Sequence, residues 1–155
     1  MQTEHRELDD IPESRISKQA LVERLQEILP ENAVLHEVED LHPYECDGLS
    51  AYRRIPMIVV LPTSVEQVQK IVKLCHQFSV PIVARGAGTG LSGGALPLEK
   101  GLLLSLAKFK SILELNARSR TARVQPGVRN LAISEAAKPH GLYYAPDPSS
   151  QIACS

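Results

Sequence analysis

The chain contains no tryptophan, and aromatic residues make up only 4% of its 155 residues. Aromatic side chains are the usual platforms on which proteins stack nucleic-acid bases. Basic and acidic residues number 17 and 18, so the formal net charge is −1 and there is no basic field for a phosphate backbone. Both shortages predict that the protein does not bind nucleic acid.

Long apolar segments are also missing. No run approaches the about 20 residues that a membrane-spanning helix needs. The N-terminal stretch MQTEHRELDDIPESR is acidic and polar, unlike a secretory signal. We therefore expect no transmembrane segment and a cytoplasmic location.

Cysteine is scarce: Cys46, Cys75 and Cys154 lie far apart, with no C-x-x-C pair. Scattered thiols of this kind are typical of a reducing compartment rather than of a disulfide framework. His36 and His42 precede Cys46 without a spacing typical of zinc ligands, so we predict no metal site.

The remaining composition, 43% hydrophobic and 23% charged, is that of a globular domain. A first helix is predicted in SKQALVERLQEILP, ending at Pro30, and a short strand at 33–38. The segment 40–56 has turn-forming residues and no clear period, which predicts a long ordered loop.

The middle of the chain predicts a strand, a helix and a second strand. MIVVLP (57–62) has the continuous β-branched pattern of a buried strand, and PIVA (81–84) is interpreted as a second one. Between them, Ser64 and Gln67 form a capping box at the start of the most regular helix. One apolar face of that helix is predicted to consist of Val65, Val68, Ile71, Val72, Cys75 and Phe78. This order predicts a parallel βαβ unit.

Later segments predict three more strands, in GLLLSL (101–106), SILELN (111–116) and TARVQP (121–126). A last helix is expected to be capped by Asn130 and to end before Pro139, with Gly141 beyond it. The segment 142–155 is predicted to be extended.

The most informative stretch is RGAGTGLSGG, Arg85 to Gly94, which holds five of the nine glycines. Glycine costs conformational entropy, so such a cluster indicates positive φ angles or a ligand lying against the backbone. The stretch follows a predicted strand and begins with a cation. These features favour a phosphate-binding loop.

Two known phosphate-binding motifs do not fit this loop. Gly88 and Gly93 have the glycine spacing of a P-loop, but Gly94-Ala95 replaces its lysine and hydroxyl. A literal G-x-G-x-x-G runs from Gly88 to Gly93, yet ALPLEKGLLLSL follows it instead of the helix that a Rossmann fold requires. A loop between two strands remains, whose N–H groups converge on a diphosphate. The alternative is a hairpin that is rich in glycine only for packing.

The motifs in combination resemble a known family. PTSVEQVQKIVKLCHQFSVPIVARGAGTGLSGGALPLEKGLLLSL is similar to the start of the FAD-binding domain of the vanillyl-alcohol oxidase flavoproteins. PYECDGLSAYR, RGAGTGLSGGALPLEKG, RVQPGVRNLAIS and YYAPDPSSQIACS together resemble the FAD-bearing D subunits of bacterial glycolate oxidases. The FAD-linked D-lactate and D-2-hydroxyacid dehydrogenases are related to them. The resemblance extends from about Pro43 to the end.

The resemblance implies an α+β fold of the vanillyl-alcohol oxidase/PCMH type (PCMH, p-cresol methylhydroxylase). Only the N-terminal part is expected, with a βαβ subdomain and the start of a second subdomain with a mixed sheet. Residues 1–42 would be an N-terminal tail and helix, and 43–155 a truncated FAD-binding domain, because in the family an I-G-G-N segment and a substrate domain follow.

By the same resemblance, the glycine loop would wrap the FAD pyrophosphate, and the PDPSS segment with Ser155 would contact the isoalloxazine and ribityl groups. The implied cofactor-binding residues are Arg85, Gly86, Ala87, Gly88, Thr89, Gly90, Leu91, Ser92, Gly93, Gly94, Pro146, Asp147, Ser149, Ser150 and Ser155. Pro126 and Gly127 would lie near the flavin. From the residues alone, PDPSS is better interpreted as a proline-stiffened surface turn. Tyr143 and Tyr144 would border the flavin or serve as packing aromatics.

The implied activity is oxidation of a small 2-hydroxy acid, glycolate or D-lactate, to the 2-oxo acid by hydride transfer to flavin. FAD would be bound non-covalently, because the glycine loop has no histidine to attach it. No catalytic residue is identified, and the fragment is expected to be inactive alone. The family implies a hetero-oligomer with a second FAD-domain subunit and an iron–sulfur subunit, cytoplasmic or peripheral to the inner membrane. The alternatives are a stand-alone FAD- or nucleotide-binding module and an inactive truncated chain.

Overall fold

The computed structural model describes residues 14–146 and 148–155. Asp147 and residues 1–13 lie outside this part of the chain.

The N-terminal elements are short. Helix α1 (Lys18–Gln26) begins after Ser17, whose hydroxyl accepts the N–H of Ala20. Strand β1 (Val34–Leu35) follows a 3₁₀ turn at Glu31–Ala33. The predicted strand at 33–38 is therefore too long, because β1 pairs with only two residues of its neighbour and Glu37 already caps the next helix.

The segment expected to be a long loop contains helical turns. Helix α2 (Val38–Leu41) continues into a 3₁₀ turn at His42–Tyr44, and the loop proper runs from there to β2 (Ile58–Val60). Leu41 is buried against Val59 and Leu103, so these turns are fixed by the core. The prediction of an ordered loop was therefore wrong for the start of this segment, which is helical.

Helix α3 (Val65–Gln77) confirms the predicted capping box: Ser64 accepts the N–H of Gln67, and the Gln67 side chain accepts that of Ser64. Ile71 and Cys75 are buried on the sheet. Val65 and Val72, predicted to share this face, are 57% and 43% exposed. The prediction was wrong for these two because only a narrow stripe of the helix is covered.

The main sheet combines β1 and β2 with strands β3 (Ile82–Arg85) and β4 (Leu102–Ser105), in the order β1-β2-β4-β3. Strands β2, β4 and β3 are parallel, and β1 is antiparallel to β2. Strand β4 is buried throughout, between its two neighbours. Within the described residues β3 pairs only with β4 and is partly exposed, which corrects its interpretation as a buried strand.

The core lies between the sheet and helices α1 and α3. It contains Leu21, Val22, Leu25, Leu29, Ala33, Val34, Ile58, Val60, Ile71, Cys75, Val80, Leu102 and Leu104.

A second, smaller unit follows. Strands β5 (Ile112–Asn116) and β6 (Thr121–Val124) form an antiparallel pair, and helix α4 (Asn130–Ala137) ends in a 3₁₀ turn at Lys138–His140. Gly141 has φ +68°, the left-handed conformation that closes such a helix. The N-cap of α4 is Arg129, whereas Asn130 is the first helical residue, so the prediction that Asn130 caps the helix was wrong. The Asn130 side chain instead donates from Nδ2 to the Pro146 carbonyl at 3.1 Å.

Candidate functional site

The glycine loop (residues 86–94) lies at the carboxyl edge of the parallel strands. It leaves the end of β3 at Arg85, which is in register with Ser105 at the end of β4. Strands β3 and β4 therefore end at the same edge of the sheet. In open parallel sheets, ligands bind beyond the carboxyl ends of the strands, so the fold puts this loop where a ligand is expected.

The backbone of the glycine loop presents a row of available donors. Within the described part of the chain, no N–H group from Gly86 to Gly94 donates a hydrogen bond to protein. The next residue, Ala95, does donate, to the carboxylate of Asp47. Successive unpaired backbone N–H groups form concavities that bind anions. Such a row suits an extended anionic group.

Two glycines in this loop have backbone angles that favour glycine. Gly88 and Gly93 both have φ +72°. A side chain at 88 would also overlap the Arg85 side chain, whereas position 93 is open apart from Leu49 Cδ2 at 4.0 Å. Gly90 and Gly94 have open space where a side chain would be. The backbone angles of the loop thus explain why glycine stands at positions 88 and 93. The absence of side chains at positions 90 and 94 leaves the loop accessible.

The side chain of Arg85 folds back over the loop. Its Nη1 donates to the Tyr44 carbonyl at 3.3 Å, and its guanidinium carbon lies 5.9 Å from the centre of the Tyr44 ring. Its positive charge is thereby held beside Gly88. The loop is joined at this end to the 3₁₀ turn at His42–Tyr44.

Sequence reasoning missed a second contact, made by residues 47 and 48. The buried Asp47 carboxylate accepts the N–H groups of Leu49, at 2.9 Å, and Ala95, at 3.3 Å. A side-chain carbon on Gly48 would lie 2.6 Å from the Thr89 carbonyl oxygen. The Asp-Gly pair indicated only a turn, and nothing local connects it to a loop some 40 residues later.

A cavity of about 430 Å³ opens beside the glycine loop. It lies between the sheet edge, the start of β5 and the start of α4. Its lining residues are Gly86, Ala87, Ala107, Lys110, Ile112, Gly127, Val128, Arg129, Ala132, Ala153 and Ser155. The structure thus brings together three of the predicted site residues, Gly86, Ala87 and Ser155. Lys110 and Arg129, which sequence reasoning missed, add two cationic residues to its wall.

The PDPSS segment is not part of the wall of this cavity. Pro146 accepts from the Asn130 side chain, and Ser149 is exposed. The Ser150 carbonyl accepts the N–H groups of Ala153 and Cys154, both at 2.8 Å. This turn directs the chain end back to the loop, where Ser155 Oγ would be 3.0 Å from a side-chain carbon on Gly86. Asp147, also predicted, lies outside the described residues.

Tyr143 and Tyr144 line a different cavity, of about 420 Å³, formed with β5, β6 and α4. Tyr143 is 78% exposed and Tyr144 41%. In this structure, neither tyrosine borders the glycine-loop cavity.

Among the described residues, no three histidine, cysteine or acidic side chains are grouped as a metal site would require. Of the cysteines, Cys75 is buried in the core, and burial raises the pKa of its thiol to about 11. A protonated core thiol is a packing residue rather than a nucleophile. No helix in the described residues is long and apolar enough to cross a membrane.

Comparison with known proteins identifies the family. A family model described as an FAD-binding domain matches residues 56–155, which include the glycine loop and the lining of its cavity. The chain belongs to this family of FAD-binding domains. The resemblance inferred from the motifs is thereby confirmed.

The relatives include proteins that act on hydroxy acids. The chain is 62% identical over 140 residues to glycolate oxidase subunit GlcD of Escherichia coli (strain K12), covering 90% of this chain and 28% of that protein. It is 32% identical over 134 residues to a D-lactate dehydrogenase of Anaerostipes hadrus, covering 86% and 28%. This chain therefore spans less than a third of these relatives.

The fold is similar to part of p-cresol methylhydroxylase, as the motifs implied. With the crystal structure of that enzyme the TM-score is 0.71 at 28% identity, over 80% of this chain and 25% of the other. The α+β vanillyl-alcohol oxidase/PCMH type of FAD-binding domain is thus confirmed, and the chain matches a part of it.

Proposed function

We propose that this chain supplies the FAD-binding part of a 2-hydroxyacid oxidoreductase that oxidises glycolate, or D-lactate, to the 2-oxo acid. The observation that carries the proposal is the row of backbone N–H groups from Gly86 to Gly94 that donate to no described protein atom. FAD carries a diphosphate, whose oxygens need several donors at once. The chain belongs to a family of FAD-binding domains whose model covers this loop, which supports the loop as the diphosphate site.

The neighbouring cavity fits the same cofactor. Lys110 and Arg129 add positive charge to its wall, and Ser155 adds a hydroxyl. A diphosphate has two negative charges that these cations would balance. The glycine loop and Ser155 would hold the cofactor from two sides of the cavity, and Pro146, Ser149 and Ser150 would contact it from outside the cavity wall. Binding would be non-covalent, because the loop has no histidine to form a covalent bond.

When bound, FAD would supply the hydride acceptor for the α-hydrogen of the hydroxy acid. The residues of this chain would bind and orient the cofactor; we assign no catalytic residue to them. In this proposal residues 43–155 form the first portion of the FAD-binding domain. Helix α1 and strand β1, which precede it, pack with the same sheet.

The choice of substrate rests on the relatives, whose names specify glycolate and D-lactate. Assembly with a second FAD-domain subunit and an iron–sulfur subunit belongs to the same proposal. So does a location in the cytoplasm or at the inner membrane surface.

A second candidate is a self-contained FAD- or nucleotide-binding module. It is favoured by one observation: the loop, its cavity and both contacts that hold the loop are made within this chain. An assay for oxidation of glycolate or D-lactate by the protein that contains this chain distinguishes the two candidate functions. Oxidation favours the oxidoreductase. Binding without oxidation favours the module.

Amide hydrogen exchange with and without FAD tests the location of the site. We expect FAD to slow exchange from Gly86 to Gly94, because each amide that bonds to the diphosphate is protected. The β5–β6 turn at 117–120 is the internal control and should not change. FAD binding without protection of the glycine loop would contradict the proposal.

A further inference from the structure

We propose that Asp47 is a positioning residue that holds the glycine loop in the conformation that receives the diphosphate. This inference rests on the proposed function. Asp47 is only 5% exposed. Aspartate is seldom buried unless its charge is compensated by partners, so the partners of this carboxylate indicate what it is for.

The two carboxylate oxygens of Asp47 have different partners. Oδ1 accepts the N–H of Leu49 at 2.9 Å, which closes a turn at residues 47–49. Oδ2 accepts the N–H of Ala95 at 3.3 Å, directly after the glycine loop. Bonds from N–H groups to an ionised carboxylate are stronger than those between neutral groups. A single side chain thus ties the end of the glycine loop to another part of the fold.

Gly48 brings the same turn against the middle of the glycine loop. A side-chain carbon there would lie 2.6 Å from the Thr89 oxygen and 2.7 Å from the Gly90 oxygen. Both carbonyl oxygens are therefore on the side of Gly48. In a planar trans peptide the N–H points opposite to the C=O, so the N–H groups that follow these carbonyls face away from Gly48. The contact aims donors at the open side, where a ligand can approach.

The loop is held at both ends. Arg85 fixes the start through the Tyr44 carbonyl at 3.3 Å, and Asp47 fixes the end. A segment with five glycines loses much conformational entropy when it is ordered. If FAD had to order the loop on binding, the affinity would fall by that amount. Asp47 orders the loop beforehand.

The test compares the 155-residue chain with its Asp47→Asn and Asp47→Ala variants. Asp40→Asn is the matched control, because Asp40 is an exposed aspartate on α2. Three quantities are measured: exchange of the Leu49 and Ala95 amides without FAD, the unfolding midpoint, and the dissociation constant for FAD. Asparagine keeps one acceptor oxygen but replaces the other with a donor. Should Asp47→Ala fail to fold, Asp47→Asn decides, since it keeps the shape of the side chain.

We expect Asp47→Asn to speed exchange at Ala95 and to raise the FAD dissociation constant about tenfold, the loss of one charge-assisted hydrogen bond. The unfolding midpoint should fall below that of Asp40→Asn by no more than the loss of one hydrogen bond explains, and the variant should stay folded at the temperature of the titration. Unchanged exchange at Ala95 and unchanged FAD affinity would overturn the inference. A weaker affinity that is fully explained by a smaller folded fraction of the variant would overturn it as well. If the unaltered chain does not bind FAD, the proposed function fails. Exchange at Ala95 still decides on Asp47: faster exchange supports its ordering of the loop, and unchanged exchange overturns it.

Discussion

The guanidinium group of Arg85 lies over the α-carbon of Gly88, in the space that a side chain at position 88 would occupy. Gly88 also has φ +72°. Gly88→Val would therefore combine backbone strain with displacement of Arg85 from Tyr44. We therefore expect this variant to lose FAD binding. The absorbance of the purified protein in the flavin bands measures its FAD content.

Gly93 is the matched control for Gly88, since it has the same φ but no such overlap. Both alanine variants carry the strain of a left-handed residue, about 1–2 kcal/mol. Gly88→Ala should be less stable than Gly93→Ala by the further cost of moving Arg85. Equal stabilities, together with normal FAD content in Gly88→Val, would contradict the role given to this pair.

Substitution of Gly90 and Gly94 distinguishes an effect on cofactor binding from an effect on folding. Nothing lies within 4 Å of a side-chain carbon on Gly90 or Gly94. We expect Gly90→Ala and Gly94→Ala to change the free energy of unfolding by no more than about 0.5 kcal/mol. FAD should nevertheless bind more weakly, because the added methyl group occupies space on the loop where the diphosphate is proposed to bind.

Gly141→Ala should show the reverse pattern. Gly141 closes α4 with φ +68° and is absent from the glycine-loop cavity. We expect a loss of about 1 kcal/mol in stability with unchanged FAD affinity. Thermal unfolding and flavin titration of the three variants provide the comparison. Unchanged FAD affinity in Gly90→Ala and Gly94→Ala would exclude the loop as the site.

The cations of the cavity wall give a prediction that depends on salt. Lys110→Gln and Arg129→Gln each remove one positive charge from the wall. For exposed charges we expect a loss of up to about 1 kcal/mol in FAD binding, smaller at high salt. Lys108→Gln, which is exposed and not part of the wall, should have no effect. Equal effects at 108 and 110 would indicate only a nonspecific influence of net charge.

The buried thiol of Cys75 makes the stability of the folded chain depend on pH. Burial raises the pKa of its thiol from 9.0 to about 11 in the folded chain. The folded chain holds the thiol proton more tightly than the unfolded chain does. This stabilises the fold fully at a pH below the pKa of the unfolded chain, and the contribution is lost as the pH rises through the pKa of the folded chain. We therefore expect the contribution of Cys75 to decline between about pH 9 and 11.

Alkylation provides the readout for the same thiol. At pH 8, iodoacetamide should modify the partly exposed Cys46 and Cys154 in the native chain but not Cys75. Mass spectrometry of the labelled peptides distinguishes the three sites. Rapid labelling of Cys75 without unfolding would contradict its place in the core.

Local sequence signals predicted the elements that local chemistry determines. The β-branched run at β2, the Ser64–Gln67 capping box and the strands after the glycine loop all appear in the structure. Each depends on residues within one turn or one strand. Predictions were less accurate where burial decides, as for Val65 and Val72, because sequence period does not tell how wide a stripe the sheet covers.

Contacts between distant segments could not be predicted. Strand β4 pairs with both β2 and β3, and nothing in any one strand specifies that order. Asn130 looked like a helix cap, but its side chain bonds to Pro146 instead. Asp47 contacts a residue 48 positions later. The glycine loop could be recognised from its composition, whereas the residues that hold it in place required the fold.

The most direct test of the central claim, that the glycine loop binds the FAD diphosphate, is a flavin fluorescence titration of the 155-residue chain. The account predicts saturable binding of FAD with a perturbed flavin spectrum, competition by ADP, and no binding of riboflavin, which lacks a phosphate. The Gly88→Val variant should not bind. A chain that is folded by circular dichroism yet leaves FAD fluorescence unchanged, or that binds riboflavin equally well, would contradict it.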